Sequence, residues 1–377
     1  MRRSAVPPAS PRRRPDDGRP AARRRSPLRQ AAVLATVGVG LVAAAATALA
    51  APATRSDAAV TSAGSSASSG GSAETPVAHP VPGPQNPDAL GPATLTTPVQ
   101  PLTVTGVKER RGFHEFQANC TITRHAADDP IVFPGRPGAS HDHTFFGNRT
   151  TSASSTVASL SVPRAGTSCR APGDGSAYWM PTMYAGDTVL DPSDVIVYYK
   201  SGVDDYRTVR PFPKGFRMIV GSPRYTSAAQ FGGYWSCGNS GRRADIVTDC
   251  SRTSGDRMIV RLTSPSCWDG VHLDSVDHVS HVVYPVKGAC PADHPVAVPM
   301  LEFKVPYPIQ GTSGAYRLAS GGGWTFHYDV VELWDDATLA ALVHRCINGG
   351  LQCDAHGYDQ HRPAGGAVLD ADYRLPA

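Results

Sequence analysis

Eight cysteines, all between residues 120 and 353, constrain the fold of this chain more than any other feature. They follow an uncharged apolar run at residues 31–50, which comes after an arginine-rich head and ends in Ala48-Leu49-Ala50. This order is typical of an export signal with a cleavage site, and an even number of cysteines in an exported chain favours four disulfides. Spacing alone leaves the connectivity open, and we expect neighbours to pair: Cys120–Cys169, Cys237–Cys250, Cys267–Cys290 and Cys346–Cys353. A thiolate zinc site is disfavoured because the sequence contains no C-x-x-C.

The first 50 residues are predicted to direct the chain out of the cytoplasm. The apolar run of 20 residues is also just long enough to span a bilayer, so two readings stay open: a cleaved signal or one N-terminal transmembrane anchor. Both place everything after residue 51 outside, because the positive flank stays in the cytoplasm. The protein is therefore predicted to be secreted or held at the cell envelope, with membrane contact only through residues 31–50 if they are uncleaved.

Residues 51–105 are predicted to be a disordered linker, because Ser, Ala and Gly and then regularly spaced prolines leave nothing to build a core. A single β-rich domain is predicted over 106–360, with a tail at 361–377. Within the domain, short β-branched and aromatic runs alternate with turns rich in Gly, Pro, Asp and Ser. The fold class we expect is mainly β: an antiparallel β-sandwich-like domain with one C-terminal helix, stapled by disulfides. That helix is predicted over 337–347, capped by Asp335-Asp336.

Charge argues against a nucleic-acid partner. Residues 1–30 hold ten Arg and two Asp, and the rest of the chain has a net charge of −4. The domain therefore offers no excess of basic residues for binding phosphates.

Three segments combine His with carboxylates: 140–148, 267–281 and 324–329. Residues two apart in a strand share a face, so His141 and His143 would point the same way, as would His327 and Asp329. Imidazoles and carboxylates together suit a divalent metal. We expect His141, His143, His278 and His281 to bind a metal or shuttle protons, and Asp269, Asp329 and His327 to be catalytic. A metal-free acid/base site and a purely structural network remain alternatives.

Trp268, beside the turn at Gly270, is the aromatic side chain expected to be exposed and to stack on a sugar ring.

The motifs also resemble a family. S-H-x-H-x-F-x-G-N at 140–148, C-W-D-G at 267–270 and D-H-x-x-H-V-x-Y-P at 277–285 are similar to those of a secreted domain-of-unknown-function family of bacteria and fungi. Further matches are Y-W-x-P at 178–181, P-F-P-x-G-F-R-M at 211–218, C-P-x-x-H-P at 290–295 and H-x-D at 327–329. The order agrees over roughly 110–355. Domains of this family are often joined to carbohydrate-binding WSC modules, which implies a polysaccharide of the cell wall or of plants as the partner. The last motif of the family usually reads H-A-D-F, whereas here it is His-Tyr-Asp-Val.

Two functions follow from these observations. The first is metal-assisted hydrolysis or lysis of a cell-envelope polysaccharide, which requires the His/Asp segments to converge in a concave site. The alternative is a non-catalytic wall- or polysaccharide-binding module with a structural His/Asp network, which requires a flat strip of exposed aromatic rings. A third reading, a copper-handling redox protein, is disfavoured by the six methionines.

Overall fold

The computed structural model describes residues 90–161, 166–246, 250, 257–309 and 316–375. The predicted export segment at 1–50 and residues 51–89 of the predicted linker lie outside these ranges. Among the residues described, no helix is both long enough and apolar enough to cross a bilayer.

The described chain is built mainly of short antiparallel strands. In chain order they are β1 Ala93–Thr94, β2 Glu115–Cys120, β3 Ile122–Ala126, β4 His143–Gly147, β5 Ala177–Pro181, β6 Met183–Ala185, β7 Thr188–Val189, β8 Val195–Ser201, β9 Arg217–Gly221, β10 Tyr234–Cys237, β11 Ser240–Arg243, β12 Met258–Thr263, β13 Cys267–Trp268, β14 His272–Asp274, β15 Val282–Val283, β16 Val296–Ala297, β17 Pro299–Tyr307, β18 Tyr316–Leu318 and β19 His327–Val331.

Two sheets dominate, and they pack face to face. One has six strands in the order β11-β10-β12-β17-β8-β2, and the other has five in the order β3-β4-β5-β19-β9. Between them, Phe303 of β17 stacks on Tyr328 of β19 with 3.6 Å between ring centroids, and Phe146 of β4 meets Phe303 edge-on. Aromatic pairs of this kind add to the burial of apolar surface that holds sheets together. The predicted β-sandwich-like class is confirmed.

Helical structure is confined to short segments. They are α1 Val157–Leu160, α2 Asp336–Leu342, a π-helical turn Val343–Ile347 and 3-10 turns at Tyr206–Thr208, Ala228–Gln230, Gly323–Thr325 and Pro363–Gly365. The side chain of Asp335 accepts a hydrogen bond from the backbone N–H of Thr338 and so caps the predicted C-terminal helix. That helix is confirmed, with its last turn widened to the π form.

Four disulfides join neighbouring cysteines along the chain. The bridges are Cys120–Cys169, Cys237–Cys250, Cys267–Cys290 and Cys346–Cys353, and no described cysteine is free. This is the pairing expected from the sequence, and four bridges are compatible with an exported protein.

The packed part of the chain extends beyond the predicted domain limits at both ends. Leu90 is fully buried, β1 pairs with β14, and the N–H of Val99 donates to the carbonyl of Gly270 at 2.7 Å. At the other end, Leu369 is also buried. Residues 90–100 therefore belong to the fold rather than to a linker. The composition of residues 90–100 did not indicate a strand. A strand that pairs with an open sheet edge is held by backbone hydrogen bonds, so its sequence does not have to contain a run of apolar residues.

The outer face of the five-stranded sheet carries a second, smaller core. Phe145, Trp179 and Val331 point outward from β4, β5 and β19. Ile131, before β4, and Leu160, after it, cover them. Because alternate residues of a strand share a face, His143 of β4 and both His327 and Asp329 of β19 point to the same covered side. This face positions the polar site.

Candidate metal centre

Three histidines meet on the covered face of the five-stranded sheet. His143 and His327 begin β4 and β19, which both pair with β5, and His141 lies just before β4. One ring nitrogen from each lies within 4.8 Å of the other two. The ring centroids of His141 and His143 are 4.3 Å apart, and those of His141 and His327 are 5.0 Å apart. Three imidazoles at this separation can bind one metal ion.

Two carboxylates join them. Asp129, His143 and Asp329 form a second group whose ligand atoms also lie within 4.8 Å of one another. Asp329 follows His327 by two residues on β19, so both side chains lie on one face of that strand. Asp129 is held in its loop because its Oδ1 accepts the backbone N–H groups of Ile131 and Val132, at 3.0 and 2.9 Å. We refer to Asp129, His141, His143, His327 and Asp329 as the His/Asp centre.

Backbone carbonyls fix the tautomers of two of the imidazoles. Nδ1–H of His143 donates to the carbonyl of Asp128 at 2.9 Å, and Nδ1–H of His327 donates to the carbonyl of Thr325 at 2.9 Å. A carbonyl only accepts, so Nδ1 carries the proton and Nε2 keeps its lone pair. Metal-binding histidines are usually oriented in this way by a second hydrogen bond.

Four buried polar atoms of the centre have no hydrogen-bond partner among the described residues. They are Nε2 of His141, Nε2 of His143 and both carboxylate oxygens of Asp329. Leaving a buried polar group unpaired costs roughly 1–3 kcal/mol, so such atoms in a native fold call for an ion or water. Their clustering beside two oriented imidazoles is what a cation site requires.

Burial also decides the protonation of the centre. Burial lowers the pKa of His141 to about 4 and of His327 to about 3, and it lowers the pKa of His143 well below its ordinary value. Burial raises the pKa of Asp129 to about 6. Burial also raises the pKa of Asp329 well above its usual range, and the nearby charge of Asp129 raises it further. At neutral pH the imidazoles are therefore neutral and available as ligands.

The structure does not bring the other predicted ligands, His278 and His281, into this group. Nδ1 of His278 lies 2.9 Å from a carboxylate oxygen of Asp274, which also pairs with Arg217 at 3.2 Å. Both ring nitrogens of His281 are engaged: Nε2–H donates to the carbonyl of Arg217 at 2.8 Å, and Nδ1 lies 2.9 Å from the Ser275 hydroxyl. A ring with both nitrogens engaged has no lone pair for a metal.

Asp269, predicted to be catalytic, is also held elsewhere. Its Oδ1 accepts the backbone N–H groups of Val271 and His272, and its Oδ2 lies 2.6 Å from Nδ1 of His272. Burial raises its pKa, but these hydrogen bonds outweigh burial and bring the pKa below its ordinary value. Asp269 therefore caps its own turn and stays ionised.

Trp268 is not exposed, contrary to expectation. Only 1% of its surface is accessible, its ring packs edge-on against Phe216, and its indole N–H donates to the carbonyl of His272 at 2.6 Å. The reason is that β13 is the central strand of a three-stranded sheet, between β15 and β16. Gly270 of the adjoining turn is itself buried beneath Val99, and the Trp268 ring beside it fills the core and cannot stack on a sugar.

One residue of the centre, Asp129, was missed by sequence reasoning. It lies in a loop outside every His-containing motif, and its spacing to His141 has no recognised pattern. A third grouping, Cys120, Cys169 and Asp174, offers no thiolate because its two sulfurs form a disulfide.

Comparison with known proteins identifies the family of this chain. The family model described as domain of unknown function (DUF1996) matches residues 129–334, a span that begins at Asp129 and contains all five residues of the His/Asp centre. No curated protein and no solved structure matches this chain. The match covers more than half of the 377 residues, and the chain belongs to the DUF1996 family.

Proposed function

We propose that the His/Asp centre binds one divalent transition-metal ion and that the domain uses it to hydrolyse a cell-envelope polysaccharide. The observation that carries the proposal is the set of orphaned buried atoms on His141, His143 and Asp329. Hydrogen bonds among the residues of a structural network would have paired these atoms.

The donor set and its charge suit a divalent ion. Three neutral imidazoles and one or two carboxylates form a mixed nitrogen and oxygen site of the kind that zinc, manganese and iron occupy. A divalent cation favours the ionised form of both carboxylates, which reverses the effect of burial on their pKa values. Two carboxylates then balance the charge of the ion, and the buried centre becomes neutral.

The roles of the residues follow from their positions. His141, His143 and His327 would hold the ion, which when bound would supply Lewis acidity. The Asp329 carboxylate would accept the proton that the attacking water loses as its oxygen bonds to carbon. As the carbon–oxygen bond to the leaving group breaks, Asp329 would return the proton to the departing oxygen. One water molecule is consumed for each bond cleaved.

The polysaccharide class is supported by two independent features. The motifs resemble a family whose domains occur with carbohydrate-binding WSC modules, and the disulfides suit a protein working outside the cytoplasm. The alternative, a non-catalytic binding module, fits less well. Four of the five tryptophans, Trp179, Trp235, Trp268 and Trp334, are fully buried and cannot form a binding strip.

Metal analysis of the purified protein tests the proposal. We expect about one transition-metal ion per folded chain, measured by elemental mass spectrometry, as for other three-histidine sites. His143→Ala should lose the ion, whereas the matched variant His344→Ala, at an exposed histidine on the C-terminal helix, should retain it. If His143→Ala fails to fold, His141→Ala, at a ligand that is only partly buried, serves as the second variant.

Two results would overturn the proposal. The first is a folded wild-type protein that takes up no zinc, manganese, iron, copper or nickel at neutral pH. The second is equal metal content in the wild type and both centre variants.

A further inference from the structure

A surface groove of about 630 Å³ lies between the end of β9 and the segment 277–284. Its walls are mainly apolar and aromatic, with one acidic residue on the rim. Tyr284 and Val279 are among the apolar and aromatic lining residues, and Asp277 and Arg224 are the charged ones.

The groove adjoins the His/Asp centre through three of its lining residues. Ile219 lies opposite Asp329, and Gly221 lies opposite His327, in the ladder between β9 and β19. The third, Val132, donates its backbone N–H to Asp129. These three lining residues are thus each a strand partner or a hydrogen-bond donor of a member of the centre.

Gly221 keeps that side open. Its φ of +84° is a conformation that side chains rarely adopt, and a Cβ there would lie 2.7 Å from the carbonyl oxygen of Phe326 and 3.0 Å from the Cα of His327. No side chain can therefore stand between the groove and the start of β19.

The far wall presents an ordered aromatic ring. Tyr284 is 53% exposed, yet its hydroxyl donates to the carbonyl of Thr263 at 2.7 Å, which holds the ring in place. Val279, which also lines the groove, is exposed, and so are Val276 and Val286 just outside the segment. Apolar side chains are concentrated here without a partner in the described chain, which is typical of a binding surface.

The acidic rim complements this apolar wall. Oδ1 of Asp277 is fixed by the Ser275 hydroxyl at 2.7 Å and by the N–H groups of Val279 and Ser280, at 3.2 and 2.9 Å. An exposed carboxylate beside an aromatic ring matches a pyranose, which has an apolar C–H face and a rim of hydroxyl donors. An entirely apolar ligand would leave this carboxylate unused.

We propose that the groove binds sugar units of a glycan chain next to the His/Asp centre, with Tyr284 as the stacking platform and Asp277 as a hydroxyl acceptor. The inference rests on the proposed function for its ligand class, polysaccharide. It adds the place where the chain binds and the residues that hold it.

Binding to soluble glycans tests the inference separately from the metal. The probes are xylan, a mixed-linkage β-glucan, glycol chitin and mannan, measured by affinity electrophoresis with the full chain, both metal-loaded and chelator-treated. For the glycan that binds, Tyr284→Ala should weaken binding about tenfold, the effect of losing one stacking ring. Tyr284→Phe keeps the ring and loses only the bond to Thr263, so it should bind within about twofold of the wild type.

The matched control is Phe113→Ala. Phe113 is 48% exposed, as Tyr284 is, but it does not line the groove. This variant should bind glycan as the wild type does, and all three variants should retain metal. Equal weakening in Tyr284→Ala and Phe113→Ala would overturn the inference.

The remaining outcomes separate the two proposals. A metal-binding protein that binds none of the four glycans, but takes up an apolar dye in a Tyr284-dependent manner, would overturn the glycan assignment and leave the metal centre standing. Glycan binding that depends on Tyr284, in a protein without metal, would support the groove and overturn the proposed function.

Discussion

Two buried clusters of carboxylates among the described residues differ in their hydrogen bonds. The His/Asp centre lies on the outer face of the five-stranded sheet. The second cluster, which we call the tyrosine–carboxylate network, comprises Asp174, Tyr178, Tyr199, Glu332 and Trp334. Burial raises the carboxyl pKa values in both: in the network, that of Asp174 rises to about 7 and that of Glu332 well above its usual range.

The difference lies in the hydrogen bonds. In the network the hydroxyls of Tyr178 and Tyr199 are 2.7 Å apart, the Tyr199 hydroxyl lies 3.0 Å from Glu332, and the indole N–H of Trp334 donates to Tyr199 at 2.9 Å. None of its side-chain polar atoms appears among the described buried atoms that lack a partner, whereas four atoms of the centre do. Burial and a raised pKa therefore do not by themselves mark a functional site. Buried polar atoms that lack a partner and lie close to one another are the better indication of a functional site.

The largest contrast between the clusters is expected in activity. Asp329→Asn keeps the shape of the side chain but removes the charge, so polysaccharide hydrolysis should fall by about 10²–10⁴-fold, the usual range for a positioned acid or base. The matched change in the network, Glu332→Gln, should leave the specific activity of the folded protein within about twofold. Release of reducing sugar under initial-rate conditions measures both. Equal losses in the two variants would mean that both clusters act only through the fold.

For the free energy of unfolding the contrast should be reversed, because the network stabilises the fold and the centre binds the metal. Tyr199→Phe removes the hydroxyl that joins Tyr178, Glu332 and Trp334. The indole N–H of Trp334 and Oε1 of Glu332 lose this partner, whereas Tyr178 keeps its bond to Asp174. We expect the free energy of unfolding to fall by about 2–3 kcal/mol, measured by urea denaturation, with metal content unchanged. A loss of metal at unchanged stability would contradict the assignment of the network as structural.

In metal-free protein one residue of each cluster, Asp174 of the network and His327 of the centre, should also respond to pH with opposite signs. The folded pKa of Asp174 is raised to about 7, so the folded state keeps a proton that the unfolded state releases. Its contribution to stability is complete below the unfolded pKa and is lost as the pH rises from about 4 to 7, by at most about 1.4 kcal/mol per pH unit. The folded pKa of His327 is lowered to about 3, so its contribution is present above the unfolded pKa and is lost as the pH falls from about 6.5 towards 3.

Unfolding free energies of the chelator-treated wild type, Asp174→Asn and His327→Gln between pH 4 and 8 test this. The stability advantage of the wild type over Asp174→Asn should shrink as the pH rises, and its advantage over His327→Gln should grow. Parallel curves for all three proteins would show that neither group titrates with a shifted pKa.

The sequence predicted those parts of the molecule that depend on local periodicity. The two-residue spacings of His141 with His143 and of His327 with Asp329 placed each pair on one side of the sheet, and the structure agrees. The fold class and the four bridges could be inferred for similar reasons: turns, strands and an even cysteine count are properties of short segments.

What the sequence could not supply depends on contacts between distant segments. Asp129 reaches the centre only because its loop folds back over the five-stranded sheet and meets β19. Trp268 looked exposed because its neighbours form a turn, but its ring direction is set by pairing with β15 and β16. The strand at Ala93–Thr94 was concealed for the same reason, since its only partner is β14.

The smallest effect is expected at His278, a predicted ligand that lies outside the centre. Its influence on Asp129 acts against the effect of burial on the pKa of that carboxyl, but its Nδ1 is bonded to Asp274. The backbone of His278 has a φ of +63°, which asparagine tolerates better than most residues, so His278→Asn removes the imidazole without straining the chain. We expect the metal affinity to stay within about twofold, since no ligand is removed, while His143→Asn abolishes binding. Competition with a chromogenic chelator measures both. A tenfold or larger loss of metal affinity in folded His278→Asn would make His278 a ligand of the metal. The contact with Asp274 would then orient that ligand.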